Sequence, residues 1–156
     1  MPSRRETIAM TPSELSAYLA EQRRIILITK GANGLPHPMP MNYGLDAAGR
    51  VVIATFRKSQ KVKNLERDPR ATLLVESGDS YTELKSAILY CHAEIITDPD
   101  EIVAQMSLVR ADGAMTASMS QTMSEQVRAS MAKRVALRLT PFGNVTWDHS
   151  KLAGFY

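Results

Sequence analysis

The strongest chemical feature of the sequence is a short basic segment, Arg57–Arg70. Six of its residues are basic and two are acidic, a local charge of +4, whereas the whole chain carries only +3. The segment joins a predicted strand to the start of a predicted helix, where free backbone N–H groups and the helix dipole favour an anion. This pattern predicts a phosphate-binding site. The basic residues are Arg57, Lys58, Lys61, Lys63, Arg67 and Arg70.

Within this segment the spacing favours Lys61 over Lys63 as the residue that binds the anion. Lys61 and Asn64 flank the opening turn of the helix, whereas Lys63 and Arg67 form an i,i+4 pair of like charge on another face. Residues 56–63 contain no glycine, so the segment is not a nucleotide P-loop, which needs glycines to wrap a triphosphate. A single terminal phosphate is the expected ligand, and a solvated basic face is the alternative that spacing leaves open.

A second candidate site is the segment Pro36–Tyr43, in which prolines alternate with histidine and methionine. Proline cannot donate a ladder hydrogen bond, so this segment belongs at a sheet edge. We expect the N–H groups of Met39 and Met41 to be available to a planar heterocycle or to a second subunit. An edge strand that its prolines protect against aggregation is the alternative.

The remaining reactive residue types form no recognisable catalytic or metal-binding pattern. His37, His92 and His149 lack the spacing of metal ligands, so we expect no metal site. Without a GxSxG motif, a serine hydrolase has no support, and no catalytic side chain is assigned. Trp147, the single tryptophan, could stack on a ligand ring or lie in the core. A stripe typical of core or dimer packing comprises Met115, Met119, Met123, Val127 and Met131.

Length and composition indicate one globular domain over residues 1–156. Of the 156 residues 44% are hydrophobic, enough for a single core. The one cysteine, Cys91, excludes an intramolecular disulfide and suits a reducing compartment. No apolar run resembles a signal peptide or is long enough to span a membrane, so we expect a cytoplasmic protein. The charge is too balanced to indicate a nucleic-acid-binding protein.

Capping residues and hydrophobic periodicity predict the elements that would position these residues. Thr11-Pro12-Ser13-Glu14 and Asp98-Pro99-Asp100-Glu101 are typical helix starts. Ser59 can cap a helix over Gln60–Arg67, which Asp68-Pro69 must end. The predicted strands are Ile25–Thr29, His37–Leu45, Val51–Phe56, Ala71–Glu76, Ser86–Thr97, Val135–Leu139 and Val145–Asp148.

The order of these elements predicts an α+β fold, mainly antiparallel β with helices. We expect the first three strands to form a meander and the last two to be separated by Pro141-Phe142-Gly143. The helix that begins after Asp98 is expected to reach about Arg110, and another helix to cover Thr116–Lys133. Most strands are too closely spaced for βαβ crossovers, so a barrel of six to seven strands with helices packed on it fits best.

The basic segment resembles the corresponding part of the pyridoxamine 5′-phosphate oxidase-like flavin and deazaflavin oxidoreductases, which are split β-barrels and usually homodimers. The resemblance rests on the pattern SxKxxNLxRDPR over Ser59–Arg70 and spans Thr11–Tyr156. The sequence departs from this family at Lys85-Ser86-Ala87, where relatives carry Arg-Gly-Val, and at His92, where glycine is common. Supporting matches are Leu74-Val75-Glu76, Pro36-His37-Pro38, Tyr81-Thr82-Glu83-Leu84 and Trp147–Leu152.

This resemblance implies a homodimeric FMN-binding split barrel that transfers hydride between the reduced cofactor and a small organic substrate. Ser59 and Lys61, helped by Arg57 and Thr55, would hold the cofactor phosphate, and Trp147 would approach from the other subunit. The alternatives are a deazaflavin coenzyme, whose longer tail carries carboxylates, and a haem-binding or flavin-storage protein without turnover. Neither nucleic acid nor a membrane is an expected partner. The implied cofactor-binding residues are His37, Pro38, Met39, Pro40, Met41, Thr55, Phe56, Arg57, Lys58, Ser59, Lys61, Asn64 and Trp147.

Overall fold

The computed structural model describes residues 1–109 and 125–152. Within these ranges the chain forms five helices and one antiparallel sheet of seven strands, which confirms the predicted α+β class. No helix in them is long and apolar enough to cross a membrane. The helices are α1 (Arg4–Ile8), α2 (Pro12–Glu21), α3 (Gln60–Arg67), α4 (Pro99–Met106) and α5 (Glu125–Met131). The strands are β1 (Arg24–Lys30), β2 (Pro36–Asn42), β3 (Gly44–Leu45), β4 (Val51–Phe56), β5 (Arg70–Ser77), β6 (Lys85–Ile96) and β7 (Arg134–Asp148).

The sheet has the order β2-β1-β5-β6-β7-β4-β3, so β2 and β3 form its two edges. These edge strands are neighbours in sequence, and only Tyr43 separates them. Strands that are adjacent in sequence can lie at opposite edges of the sheet only if the sheet curls until these edges approach each other. The contact of β2 with β4 shows that it does so. The result is the split barrel that the sequence predicts.

The predicted meander is confirmed for its first hairpin, in which β1 and β2 pair antiparallel, and is wrong for its third strand. Val51–Phe56 forms β4 as predicted, but it pairs with β7 and with the short strand β3 rather than with β2. The predicted strand His37–Leu45 is interrupted at Tyr43, which is buried and donates from its hydroxyl to the Leu19 carbonyl at 2.6 Å. This inward residue ends the pairing with β1, and the chain continues as β3 at the opposite edge of the sheet.

The C-terminal strand also differs from the prediction. Val135–Leu139 and Val145–Asp148 belong to one continuous strand, β7, rather than to two strands separated by a turn. The pairing with β6 skips Phe142, which is the extra residue of a β-bulge. The bulge accommodates Pro141, which cannot donate to the ladder, without ending the strand.

The barrel interior holds the main hydrophobic core. Residues alternate along β1, and Ile25, Leu27 and Thr29 point inward with at most 2% of their surface exposed. Each fully buried aliphatic side chain of this kind contributes roughly 1.5–3 kcal/mol to folding. A second cluster packs α4 and α5 on the outer face of β4 and β7. It comprises Ile96, Ile102, Met106, Met131 and Ala136.

The helix starts follow the predicted capping residues. Thr11 forms a capping box at α2, and the Asp98 side chain accepts from a first-turn N–H at α4. The helix α4 ends at Met106 rather than near Arg110. A further short helix, α1, begins with a capping box at Ser3 that the sequence analysis missed.

The predicted helix Thr116–Lys133 is described only over α5. Of the methionine stripe, Met131 is buried in the second cluster. Met115, Met119 and Met123 lie outside the described residues.

Candidate functional site

The candidate site is built on the turn between β4 and α3. The Ser59 N–H donates to the Phe56 carbonyl at 3.1 Å, which closes the turn. The Arg57 N–H donates to the Lys133 carbonyl at 2.8 Å and so fixes the turn against the chain that enters β7. The turn is therefore held by backbone hydrogen bonds on both sides.

The N-terminus of α3 lacks a side-chain cap. Ser59 occupies the N-cap position, as predicted, but its Oγ makes no capping hydrogen bond, although serine normally makes one here. This oxygen is buried and has no hydrogen-bond partner among the described residues. The first-turn N–H groups therefore remain available to an anion, and rotation about the Ser59 χ1 bond would turn the hydroxyl toward it.

Lys61 is the buried cation of the site. Only 9% of its surface is exposed, and its neighbour Val62 is fully buried where α3 packs on β1 and β6. Within the described chain Lys61 forms no ion pair or hydrogen bond. Burial lowers the pKa of its ammonium group from the usual 10.5, because loss of solvent disfavours the charged form. An anion is the partner that this ammonium group lacks.

The other basic residues of the segment divide into two groups. Towards the end of α3 and just beyond it, Arg67 donates to the Lys30 carbonyl at 2.7 Å, and Arg70 pairs with Asp68 at 2.7 Å. Hydrogen bonds from Arg70 hold the pKa of the Asp68 carboxyl well below its usual range. Both arginines are thus engaged within the protein. The second group, Arg57, Lys58 and Lys63, is exposed and makes no ion pair or side-chain hydrogen bond among the described residues.

Asn64, a predicted binding residue, is engaged inside the fold. It has no exposed surface, and its Nδ2 donates to Thr29 Oγ1 at 3.0 Å. Its Oδ1 accepts from Gln60 Nε2 at 2.9 Å and from Arg67 Nη2 at 3.1 Å. The amide oxygen therefore has two donors and the amide nitrogen one acceptor, all within the protein. In this geometry Asn64 anchors α3 to β1 rather than facing a ligand.

The strand β2 forms an edge of the sheet, in agreement with its prolines. Because proline has no N–H, the ladder to β1 must take its donors from the residues between the prolines. The expectation that the N–H groups of Met39 and Met41 are free is therefore wrong. The free edge instead presents carbonyl oxygens, which accept hydrogen bonds. These belong to Pro36, Pro38 and Pro40.

His37 connects the edge strand to the helix. It pairs across the ladder with Thr29, whose Oγ1 accepts from Asn64 of α3. Adjacent strands lie about 4.8 Å apart, so His37 is one strand away from the anchor of the helix. Its Nδ1 is buried and has no hydrogen-bond partner in the part of the chain that the structure describes. The β2 and α3 parts of the predicted site thus lie on elements that both contact β1.

Trp147 lies at the opposite end of β7 from the β4–α3 turn. It is half-buried and pairs with Ser86 of β6. The residue that pairs with Phe56 at the turn is Arg134, thirteen positions earlier, at the start of β7. At roughly 3.3 Å per residue of strand, this separation means that one chain does not bring Trp147 to the turn.

The residues at which the sequence departs from its relatives have structural partners. Ser86 is buried and its Oγ donates to the Val75 carbonyl at 2.8 Å. The Lys85 ammonium lies 3.3 Å from the Asp148 carboxylate. These side chains therefore tie β6 to its neighbours on both sides.

Arg134 is a residue beside the candidate site that the sequence patterns did not predict. Its guanidinium carbon lies 4.7 Å from the centre of the Phe56 ring, a cation–π contact. The pairing of β4 with β7 creates this contact, and the two strands are distant in sequence. The only local signal is the basic pair Lys133-Arg134 immediately before a predicted strand.

An open groove of about 400 Å³ lies elsewhere, and none of the predicted cofactor residues lines it. Its walls include Ile28, Pro36, Tyr90 and Phe142. We locate the candidate site at α3 because anion binding needs cations and free N–H groups, and the N-terminus of α3 supplies both. Chemically, the arrangement there can bind and orient a phosphate.

Comparison with known proteins identifies the family. A model of the pyridoxamine 5′-phosphate oxidase family matches residues 11–145, a range that contains the β4–α3 turn and both edge strands. The chain belongs to the pyridoxamine 5′-phosphate oxidase family. This assignment confirms the resemblance that the pattern over Ser59–Arg70 indicates. The search of curated proteins found no match to this chain.

Solved structures with the same fold extend the comparison. The conserved hypothetical protein Rv2991 from Mycobacterium tuberculosis is 30% identical, with a TM-score of 0.75 over 97% of this chain and 92% of that one. An FAD-binding protein from Mesorhizobium loti is 14% identical, with a TM-score of 0.65 over 88% and 94%. HutZ, the haem storage protein from Vibrio cholerae, is 17% identical, with a TM-score of 0.63 over 88% and 96%. The last two comparisons show the fold alone.

Proposed function

We propose that this member of the pyridoxamine 5′-phosphate oxidase family binds FMN and transfers hydride between the reduced flavin and a small organic substrate. The observation that carries the proposal is Lys61, whose side chain is largely buried and has no carboxylate partner in the described chain, at the uncapped N-terminus of α3. A phosphate monoester would supply the negative charge that pairs with Lys61, and its oxygens would accept hydrogen bonds from the first-turn N–H groups. Ser59 Oγ, a buried oxygen without a partner among the described residues, adds a donor.

The rest of the turn suits the same phosphate. Arg57 and Lys58 are exposed residues of the turn before the helix and would neutralise the remaining negative charge of the phosphate. Thr55 is buried on the inner face of β4, directly before the turn, and would support it from the barrel side. Asn64 contributes indirectly, because it fixes α3 and therefore the N–H groups that point at the phosphate.

The flavin ring would lie against the free edge of β2, residues 37–41. This edge offers proline carbonyl oxygens, so the ring must supply the donor, and the oxidised flavin ring has one N–H group. The half-buried side chains of Met39 and Met41 offer polarizable apolar surface for ring contact. The bound flavin supplies the hydride chemistry, and the protein binds and orients it. No side chain is assigned as a general acid.

A second copy of the chain would complete the site. The outer face of the sheet carries an apolar row across five strands, formed by Pro40, Ile26, Leu74, Ile88 and Val145 in register. These residues are half-buried or exposed in the single chain. A symmetric partner can cover such a face, and Trp147, two residues beyond this row on β7, could reach the partner's turn from it.

Two alternatives remain to be separated from FMN. The deazaflavin coenzyme also has a phosphate for Lys61, and its tail carboxylates would call on Lys58, Lys63 or Arg67. A haem-binding or flavin-storage function is favoured by the fold shared with HutZ. Haem has no phosphate, but its propionate carboxylates could also pair with Lys61, so the absorption spectrum must separate haem from flavin.

The proposal is tested on the purified protein by its absorption spectrum and by titration of the apo-protein. We expect a flavin spectrum, reduction of the bound flavin by a nicotinamide donor, and tighter binding of FMN than of the deazaflavin at matched ionic strength. Deazaflavin binding tenfold tighter than FMN, a difference of about 1.4 kcal/mol, would overturn the choice of cofactor. A haem spectrum, or bound flavin that no donor reduces, would overturn the enzymatic assignment.

A further inference from the structure

Phe56 forms an exposed aromatic platform beside the phosphate site. It is the last residue of β4, and 58% of its surface is exposed. One part of the ring contacts the Arg134 guanidinium, 4.7 Å from the ring centre, and most of the ring remains in solvent. An aromatic side chain this exposed and held by a cation is a suitable surface for a flat ligand ring.

Arg134 adds a second unexplained feature. Its Nε is buried and has no hydrogen-bond partner in the described residues, although the side chain as a whole is only half-buried. A guanidinium group usually uses its N–H donors in hydrogen bonds when it is removed from water. Arg134 instead contacts the Phe56 ring, and among the described residues no carboxylate pairs with it.

The platform lies within one turn of the anion site. The Phe56 carbonyl accepts from the Ser59 N–H at 3.1 Å, so the chain passes from the platform to the start of α3 in three residues. The Arg57 N–H donates to the Lys133 carbonyl at 2.8 Å, which joins the turn to the strand that carries Arg134. Four basic residues lie on the two chain segments that this backbone hydrogen bond joins. They are Arg57, Lys58, Lys133 and Arg134.

A ligand that uses both features must carry a phosphate at the helix and an aromatic group a short distance beyond it. FMN ends at its phosphate and leaves Phe56 uncovered. The deazaflavin tail continues with carboxylates, which offer no ring to stack. A flavin dinucleotide continues through a second phosphate, which the basic residues of these two segments can neutralise, to an adenine ring.

We propose that Phe56 and Arg134 form a subsite for an aromatic base attached through the cofactor phosphate, so that FAD binds more tightly than FMN. This inference rests on the proposed function, since it places the flavin phosphate at Lys61. The FMN moiety occupies the same site in both cofactors. The additional affinity comes from stacking on Phe56 and from the charge of the second phosphate.

The test is a titration of the full-length apo-protein with FMN and with FAD at one ionic strength. We expect FAD to bind at least fivefold more tightly than FMN. In Phe56→Leu, which keeps apolar volume but removes the aromatic face, this ratio should fall to about one. Arg134→Met should reduce the ratio at least twofold, because it removes a charge next to the second phosphate. Phe142→Ala is the matched control, since this phenylalanine is 62% exposed but lies at the bulge of β7.

The possible outcomes separate the two proposals. Equal affinities for FMN and FAD in the unaltered protein, or equal weakening of both in Phe56→Leu, would overturn the subsite and leave the flavin function intact. Failure of both flavins to bind would remove the proposed function and the subsite with it. A FAD-to-FMN affinity ratio that is unchanged in Phe142→Ala and falls to about one in Phe56→Leu would support stacking on Phe56.

Discussion

At the scale of single residues, the feature that decides the chemistry is the state of Lys61. Its side chain is largely buried, and the loss of solvent disfavours the charged form of its ammonium group in the free protein, a cost that a bound anion would offset. The other cations of the segment are either in solvent or already bound to Asp68, Lys30 or Asn64. The electrostatic contribution to phosphate binding should therefore be concentrated in one residue rather than spread over six basic side chains.

Replacing Lys61 should weaken FMN binding far more than replacing Lys63. A charge-assisted hydrogen bond is worth roughly 1.5–3 kcal/mol, so Lys61→Ala should raise the Kd on the order of ten- to a hundredfold. Lys63→Ala is the matched control on the same helix, and because Lys63 is exposed we expect less than a threefold change. Fluorescence quenching of FMN measures both. Equal small losses in the two variants would remove the assignment of Lys61.

As the pH is raised, the affinity for FMN should begin to fall at a lower pH than it would if Lys61 had the pKa of an ordinary lysine. Burial lowers the pKa of Lys61 below 10.5 in the free protein, and a bound phosphate raises it again. Binding therefore takes up a proton above the lowered pKa, and affinity falls as pH rises through that value. In Lys61→Arg the charge persists, so affinity should decline less. FMN titrations at increasing alkaline pH give the ratio of the dissociation constants of the unaltered protein and Lys61→Arg. Ionisation of the flavin affects both constants equally and cancels in this ratio. A ratio that stays constant up to pH 10.5 would contradict this account.

At the scale of elements, the site depends on how α3 is docked. Besides the exposed Arg67 to Lys30 hydrogen bond, the helix has a polar anchor inside the sheet, the Asn64 to Thr29 hydrogen bond, and both residues of this anchor are almost completely buried. Beside this anchor, Val62 and Leu65 pack into the barrel core. A shift of α3 would move the uncapped first turn and Lys61 together, so the anchor matters for binding without touching the ligand.

Breaking this anchor should destabilise the protein and weaken binding together. Asn64→Leu leaves the Thr29 hydroxyl without its donor, so we expect the free energy of unfolding to fall by about 2–3 kcal/mol. Thr29→Val removes the other partner, and the double variant should lose clearly less than the sum of the single losses. Gln60→Ala, at an exposed partner of Asn64, should cost less than about 0.5 kcal/mol. Urea denaturation measures all four proteins, and strict additivity of the two core variants would exclude the coupling.

At the scale of the whole molecule, the split barrel leaves an apolar outer face. The row through Ile26, Leu74 and Ile88 crosses the strands on the side away from the core, and these side chains are only half-buried in the single chain. The α4 and α5 helices cover a different part of the outside, against β4 and β7. Proteins rarely leave a continuous apolar face in water, which is the reason to expect a symmetric dimer here.

A charge in the middle of this face should separate the dimer. Ile88→Lys places an ammonium group at the centre of the row, so we expect light scattering to show a monomer at micromolar concentration. If Trp147 of the partner subunit contributes to the site, this variant should also bind FMN at least tenfold more weakly. Leu35→Lys introduces the same charge at a residue that is 63% exposed in the β1–β2 turn and should remain dimeric. A monomeric unaltered protein that still binds FMN would exclude this arrangement.

The sequence by itself determined the local parts of this protein. The bounds of α3, Gln60–Arg67, and of β4, Val51–Phe56, follow from an N-cap serine, a terminating Asp-Pro pair and a β-branched run. The edge position of β2 follows from its prolines. Each signal acts within a few residues, because caps, turns and proline restrict the backbone locally. The pattern over Ser59–Arg70 was also sufficient to indicate the family.

Only the tertiary structure decided which of these local parts meet and which groups they leave unsatisfied. The pairing of β4 with β7, which brings Arg134 to Phe56, depends on strands far apart in sequence, and so does the order of the sheet. The burial of Lys61, the engagement of Asn64 and the use of the β2 N–H groups by β1 depend on neighbours that local spacing does not specify. The physical reason is that a charge or hydrogen-bonding group is available to a ligand only when the folded chain leaves it without a partner, and partners are assigned by packing over the whole barrel.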